Sequence, residues 1–180
     1  MKKQPIKLHN AWGHLRTVHR HRKEVMKNCF RAGIPLQGLL HDLSKYSPEE
    51  FINGCRYFQG SRSPHEGERD DYGYSLAWMH HKGRNKHHFE YWTDYNKVTR
   101  KMTPTKMPIK YVKEMFCDRM AASKIYMKDS YTDASPLGYF RKGNAASRMH
   151  PETAAIIEKL LVMLSEKGED ATFAYIRRMK

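Results

Sequence analysis

The sequence contains few cysteines and no long hydrophobic run. Cys29, Cys55 and Cys117 lie far apart, are odd in number and show no C-x-x-C spacing. This usage excludes a disulfide framework and indicates reduced thiols, as in a cytoplasmic protein. No stretch approaches the ~20 apolar residues that a membrane-spanning helix needs, and the first residues lead into no apolar signal-peptide core. We therefore expect a cytoplasmic protein without a membrane partner.

Acidic residues are scarce relative to basic ones. The 180 residues include 33 Lys and Arg against 19 Asp and Glu, which gives a formal net charge of +14. Such a positive field concentrates anions, so phosphorylated small molecules and nucleic acids are both compatible partners. The basic residues form no run of five or six, which is typical of a solvated surface. We expect an anionic small-molecule substrate rather than a nucleic acid; the sequence leaves the oligomeric state open.

The sequence also lacks sustained strand alternation, whereas apolar residues recur at helical spacing in many segments. With 180 residues, of which 39% are hydrophobic, the chain suits one domain with a real core. We predict an all-α, single-domain helical bundle over 1–180, with a core of about 10–167 and a final helix near 170–178. Residues 60–73 are polar and rich in Gly and Pro, so we expect a long loop there. Single helices are also predicted at about 10–32, 108–126 and 151–167. Shorter helices are predicted around His41-Asp42, from Ser47 onward, and twice within 74–95.

Histidine is abundant, and its placement indicates a metal site. Among the 11 histidines, His41 with Asp42 falls in a segment that Leu36, Leu39, Leu40 and Leu43 predict to be a short apolar helix. Two adjacent polar residues there cost free energy unless something satisfies them. Asp118 is likewise surrounded by the apolar residues of segment 115–122, where a carboxylate requires a cation or strong donors. Imidazole and carboxylate are the ligands that divalent first-row metals prefer. Two histidine pairs lie between these acids: His80-His81 and His87-His88.

The order H…HD…H…H…D resembles that of the HD-domain superfamily of metal-dependent phosphohydrolases. Residues 39–45 look like its signature, in which Lys45 follows Asp42 by three positions. Segments 41–51, 77–92 and 107–118 resemble more closely an uncharacterised bacterial and phage family within that superfamily. The resemblance covers residues 18–164 and implies a helical bundle of the HD type.

Three histidines are candidates for the first ligand of this pattern. In HD proteins that histidine is typically followed by apolar residues at positions plus four, plus five and plus eight. His21 matches, because Val25, Met26 and Cys29 follow it, whereas His14 and His19 match less well. We therefore choose His21.

The resemblance implies one or two divalent metal ions, with Mn, Fe, Co, Ni, Zn and Mg all possible. The metal ligands that it implies are His21, His41, Asp42, His80, His81, His88 and Asp118. The residues that it implies for catalysis are Asp42, Lys45, Arg84 and His87. Only five residues, 82–86, separate the two histidine pairs, so the alternative is that one pair contacts the substrate instead.

Three functions remain open at this point. The resemblance implies hydrolysis of a phosphorylated, nucleotide-like substrate by a phosphohydrolase or phosphodiesterase that activates a metal-bound hydroxide. A di-iron oxygenase, which some relatives of this scaffold are, is one alternative. A non-enzymatic basic module that binds metal or nucleic acid is the other.

Overall fold

The structure is a computed structural model that describes residues 5–180. Within these residues the chain forms eight α-helices and one two-stranded antiparallel sheet. The helices are α1 Leu8–Arg31, α2 Pro35–Leu40, α3 Pro48–Arg56, α4 Pro64–Tyr72, α5 Leu76–Arg84, α6 Ile109–Met127, α7 Ser135–Lys142 and α8 Pro151–Arg178. The strands are β1 Thr93–Asn96 and β2 Lys101–Pro104. The prediction of a mostly helical fold is therefore confirmed, although a small sheet is added to it. Among residues 5–180, no helix combines the length and the hydrophobicity that crossing a membrane requires.

The core lies between the three long helices. α1 packs along α6, and α6 packs against α8. Their apolar residues recur every three or four positions, which gives each helix one buried stripe. The fully buried members include Val25, Cys29, Val112, Phe116, Met120, Ile157, Leu160, Leu161, Leu164 and Ile176. Because α1 and α6 lie side by side, polar residues at the edge of their buried stripes face each other.

The last helix bends where the sequence predicts a helix end. Gly168 has φ 74° and ψ 178°, a conformation that interrupts the helical path of α8. A residue with a Cβ would be strained at this positive φ, which explains the glycine. The two predicted segments, 151–167 and 170–178, are therefore joined by a kink.

The short helix α2 does not contain His41 and Asp42, contrary to our prediction. It ends at Leu40, and its leucines point outward. The cause is Gly38, since a Cβ there would lie only 2.7 Å from the Cβ of Cys29 on α1. The glycine lets the backbone of α2 approach α1, so the opposite, leucine-rich side faces the solvent. The exposed fractions are 63% for Leu36, 50% for Leu39, 57% for Leu40 and 48% for Leu43.

Two other segments also differ from the sequence prediction. The expected loop at 60–73 contains helix α4, which starts with Pro64 and ends before Gly73 at φ 77°, as helix-terminating residues commonly do. The strands β1 and β2 form a hairpin, although neither shows an apolar alternation. Its turn is stabilised by the side chain of Asn96, whose Oδ1 accepts from the backbone N–H groups of Val98 and Thr99. Such turns need polar side chains rather than a hydrophobic pattern.

Candidate metal centre

A sharp turn between α2 and the following short 3₁₀ helix presents His41 and Asp42. Asp42 adopts a left-handed conformation with φ 53° and ψ 30°, which aspartate tolerates better than most residues. Arg22 on α1 holds this turn, because its Nε donates to the carbonyl oxygen of His41 at 2.9 Å and its Nη2 to that of Leu39 at 3.1 Å. The turn is thereby positioned against α1, with both side chains only 1% exposed.

Four side chains from α1, this turn and α6 converge in a group that we call the first cluster. His21 Nε2 lies 3.0 Å from Asp118 Oδ1 and 3.7 Å from Asp42 Oδ2. His41 Nε2 lies 3.2 Å from Asp42 Oδ2 and 3.6 Å from Asp118 Oδ1. Two imidazole nitrogens and two carboxylates at these separations can hold a metal ion.

A second cluster shares Asp42 and adds the histidines of α5 and the loop after it. The Oδ1 atom of Asp42 lies 3.4 Å from His81 Nε2 and 3.5 Å from His87 Nε2. His81 Nε2 in turn lies 2.8 Å from His88 Nε2. This group can also hold a metal ion. Because Oδ2 of Asp42 faces the first cluster and Oδ1 the second, one carboxylate connects the two.

Two buried glutamates orient the histidines from behind, and sequence reasoning missed both. Glu114 Oε1 accepts from Nδ1 of His41 at 3.0 Å and from Nδ1 of His87 at 3.2 Å. Glu50 Oε2 accepts from Nδ1 of His81 at 2.7 Å. An ionised carboxylate only accepts, so each of these imidazoles has a proton on Nδ1 and directs its Nε2 at the clusters. The sequence could have indicated Glu114, because it precedes Asp118 by four residues and therefore lies on the same face of the helix.

Glu114 also forms, with His41 and His87, a third group of potential metal ligands. We assign it to hydrogen bonding instead, since its distances are those of ordinary N–H···O bonds. The Nδ1 atoms already have Glu114 as their acceptor, whereas the Nε2 atoms of both histidines lack any partner.

Several buried polar atoms of the two clusters have no hydrogen-bond partner. Among residues 5–180, seven buried side-chain nitrogen or oxygen atoms lack one, and four of the seven belong to the clusters. These four are His21 Nε2, His41 Nε2, Asp42 Oδ1 and His87 Nε2. Each such atom costs about 1–3 kcal/mol when it is left unsatisfied. One cation in the first cluster would satisfy His21 and His41, and a second cation in the second cluster would satisfy Asp42 Oδ1 and His87, so the residues fit metal ions.

The electrostatics of the clusters also suit a cation. Burial alone would raise the pKa of Asp42, but His41, Lys45 and His81 hold it well below its usual range. The pKa of Asp118 is likewise lowered, against the effect of burial, by the neighbouring imidazoles of His21 and His41. Both carboxylates are therefore ionised at neutral pH. Metal ligands must be deprotonated, and these two are.

The histidines respond to this environment in two ways. Burial, followed by the charges of neighbouring groups, lowers the pKa of His21 and His88, so both imidazoles are neutral and able to bind metal. Although burial opposes it, the charge of Asp42 and hydrogen bonds to acidic neighbours raise the pKa of His41 well above its ordinary value. The field that favours a proton on His41 equally favours a metal cation beside it.

The structure brings together most, but not all, of the residues that the sequence singled out. The two clusters contain His21, His41, Asp42, His81, His87, His88 and Asp118. His87, which we had expected to act on the substrate, is thus one of the grouped histidines. Lys45 forms an ion pair with Asp42.

His80 and Arg84 lie outside the two clusters, contrary to our expectation. His80 Nδ1 is 2.7 Å from Glu50 Oε1, on the far side of that carboxylate from His81. The reason is helical geometry, since adjacent residues of α5 project about 100° apart. Arg84 is exposed at the end of α5 and donates to the carbonyl oxygen of His80.

The two other candidates for the first metal ligand, His14 and His19, also lie outside the two clusters. The His14 ring packs against Phe51 and Phe58, with centroids 5.5 and 6.3 Å away. Burial and Lys45 lower the pKa of His14 to about 4. His19 is exposed next to Tyr46.

A cavity of about 660 Å³ borders both clusters. Its walls include His21, Asp118, His81 and His88, whereas His41, Asp42 and His87 are buried behind them. The cationic side chains that line it are Lys45, Arg62, Arg69, Arg119 and Arg148. The potential metal ligands are therefore accessible to a small anionic molecule.

Comparison with known proteins identifies a family. No curated protein and no solved structure matches the chain. The model of a family of unknown function, DUF5662, matches residues 10–163. The matched segment contains every residue of the two clusters. Because it covers most of the sequence, the chain belongs to the DUF5662 family.

Proposed function

We propose that the protein is a metal-dependent phosphohydrolase of the HD type. The observation that carries the proposal is the set of buried, unpartnered atoms of His21, His41, Asp42 and His87 at the edge of a large cavity. The first cluster would hold one ion and the second cluster another, with Asp42 shared between them. The order of these residues along the chain agrees with the HD pattern.

The access to the clusters favours catalysis over a structural metal. Structural metal sites are closed by protein ligands, whereas catalytic sites keep a position open to the substrate. Here His21 and Asp118 of the first cluster and His81 and His88 of the second line the cavity. A substrate in the cavity therefore reaches both clusters from one side.

The cavity also indicates the class of substrate. Its volume lies within the ~300–1,000 Å³ that small-molecule sites usually have. Cationic and acidic side chains nearly balance in its walls, but the net charge of +14 for the whole sequence favours an anion such as a phosphate ester. Phe58 and Trp78 contribute aromatic surface to the same walls, which supports a nucleotide-like substrate. The proposal includes a cytoplasmic location, which the three free cysteines favour.

Hydrolysis of a phosphate ester requires a nucleophile and neutralisation of the phosphoryl charge. A divalent metal, when bound, supplies Lewis acidity and lowers the pKa of a coordinated water toward ~7. The chain itself contributes preorganised groups. Glu114 and Glu50 fix the imidazole orientations, and the ammonium of Lys45, which borders the cavity beside Asp42, stabilises negative charge on the substrate.

The test is metal content together with activity. Untagged protein should contain one or two first-row metal ions per chain by elemental analysis, and Asp118→Asn should lose at least one. Metal-loaded protein should hydrolyse at least one of a panel of nucleoside phosphates, cyclic nucleotides and nitrophenyl phosphates. His19→Gln, an exposed histidine two residues from His21, is the matched control and should behave as the wild type. Failure to bind any first-row metal would contradict the proposal, as would inertness of the loaded protein across the panel.

A di-iron oxygenase is the second candidate. The observation that favours it is the second cluster, where three imidazoles accompany one carboxylate, since imidazole suits iron. Iron-loaded protein that consumes oxygen with an organic substrate, yet hydrolyses no phosphate ester, would favour this candidate. A protein inert in both assays that binds RNA tightly and in a salt-dependent manner would instead be a binding module.

A further inference from the structure

The cationic residues of the cavity differ in whether they are neutralised. Lys45 pairs with Asp42, Arg62 with Asp70, and Arg69 with Glu66. Within the described part of the chain, Arg119 and Arg148 form no ion pair, and their charges remain available to a ligand. The buried, unpartnered Nε of Arg119 lowers the stability of the protein unless an anion binds it.

Stacking holds both arginines in position. The guanidinium carbon of Arg119 lies 5.3 Å from the ring centre of Phe140, and that of Arg148 lies 5.5 Å from the ring centre of Phe89. The Nε of Arg119 is buried without a hydrogen-bond partner, and Arg148 donates only to the carbonyl oxygen of Gly143. Cation–π contacts orient a guanidinium but do not neutralise it.

The two arginines border the same cavity. Glu90 lines the same cavity but makes no ion pair with either arginine, and its Oε2 is itself buried without a partner. Two guanidinium groups without an ion-pair partner in one cavity can bind a doubly charged anion, because the planar guanidinium matches phosphate geometry.

The position of Arg119 connects this site to the clusters. It directly follows Asp118 on α6, and both line the cavity. We propose that Arg119 and Arg148 bind a second phosphate group of the substrate while its first phosphate faces the two histidine clusters. The inference rests on the proposed phosphohydrolase function and narrows its substrate class to molecules with two directly linked phosphate groups, such as nucleoside diphosphates.

Calorimetric titration with orthophosphate and pyrophosphate tests this site. With manganese-loaded wild type we expect pyrophosphate to bind at least about tenfold more tightly than orthophosphate. Arg119→Gln and Arg148→Gln should each weaken pyrophosphate binding by about tenfold or more, while their metal content stays that of the wild type. Arg62→Gln is the matched control, since Arg62 lines the same cavity but is paired with Asp70, and it should bind pyrophosphate as the wild type does. Glu90→Gln should have the opposite effect and tighten binding, because it removes a negative charge near the anion.

Wild-type affinity for pyrophosphate in both arginine variants would overturn the inference, and so would an equal loss in Arg62→Gln. If Arg119→Gln does not fold, Arg148→Gln decides alone, because Arg148 is exposed and its replacement leaves the core intact. The outcome is separable from the proposed function. Arginine-dependent pyrophosphate binding without hydrolysis would support the anion site and contradict the phosphohydrolase. Hydrolysis of a diphosphate with equal kcat/KM in the wild type and both variants would support the phosphohydrolase and contradict the anion site.

Discussion

Replacing Glu114 with glutamine keeps the size of the side chain but removes the negative charge that two imidazoles share. Glu114 accepts from Nδ1 of His41 at 3.0 Å and from Nδ1 of His87 at 3.2 Å. His41 belongs to the first cluster and His87 to the second. The replacement should therefore weaken metal binding at both clusters, although Glu114 itself need not touch a metal.

The magnitude follows from the two hydrogen bonds. A hydrogen bond to a charged group contributes about 1.5–3 kcal/mol, and charge assistance accounts for roughly half of that. Glutamine retains the acceptor oxygen and loses the charge, which removes about 1 kcal/mol per bond. Each cluster receives one of the two bonds, so each metal affinity falls by about 1 kcal/mol, or about fivefold. This lies just below the ~10–100-fold effect that is usual for residues behind metal ligands.

The assay is competition with a chromophoric chelator, which measures the two metal affinities separately. Glu50→Gln is the informative comparison, because Glu50 supports His81 and no member of the first cluster. It should weaken only one of the two affinities, whereas Glu114→Gln weakens both. Glu24→Gln removes a partly buried carboxylate on α1 that pairs with Lys124, and it should leave both unchanged. Metal affinities in Glu114→Gln that equal those of the wild type would refute the role assigned to Glu114.

Three further predictions concern individual histidines. His21→Gln should lower metal occupancy at the first cluster while His19→Gln does not; equal occupancy in both would remove His21 from the ligands. His81→Gln should lower occupancy at the second cluster and His80→Gln should not, as elemental analysis of the two variants would show; a loss in His80→Gln would contradict the geometry of α5. In the folded protein, burial and a neighbouring lysine lower the pKa of His14 to about 4, from 6.5 in the unfolded chain. Because the unfolded chain therefore takes up a proton first, the free energy of unfolding is unaffected by His14 above pH 6.5 and falls by up to ~3 kcal/mol as the pH drops toward 4. Denaturant unfolding of metal-free protein gives the free energy of unfolding at each pH, and its slope against pH should correspond to about one proton less in His14→Gln than in the wild type. An unchanged slope would contradict the lowered pKa of His14.

The sequence alone was sufficient for those features that depend on one helix at a time. The apolar spacing of α1 predicts its buried stripe, and that stripe passes through Val18, His21 and Val25, all of which are buried. His14 lies on the same stripe and is also buried, so the choice of His21 came from the resemblance to the HD spacing, in which Val25, Met26 and Cys29 follow the first histidine. The setting of Asp118 among apolar residues of α6 indicated a carboxylate directed inward, because neighbouring positions on the same face pack into the core.

Only the tertiary structure decided how these residues meet. The short run of leucines around His41 predicts a buried helix, but the close approach of Gly38 to α1 turns that run outward and leaves Asp42 in a left-handed turn. Periodicity describes the faces of one element, whereas the partner of each face depends on packing between segments far apart in the chain. His41 and Glu114 are 73 positions apart, and no local pattern relates them. For the same reason the sequence could not separate His81 from His80, since the position of Glu50 between them decides which of the two faces Asp42.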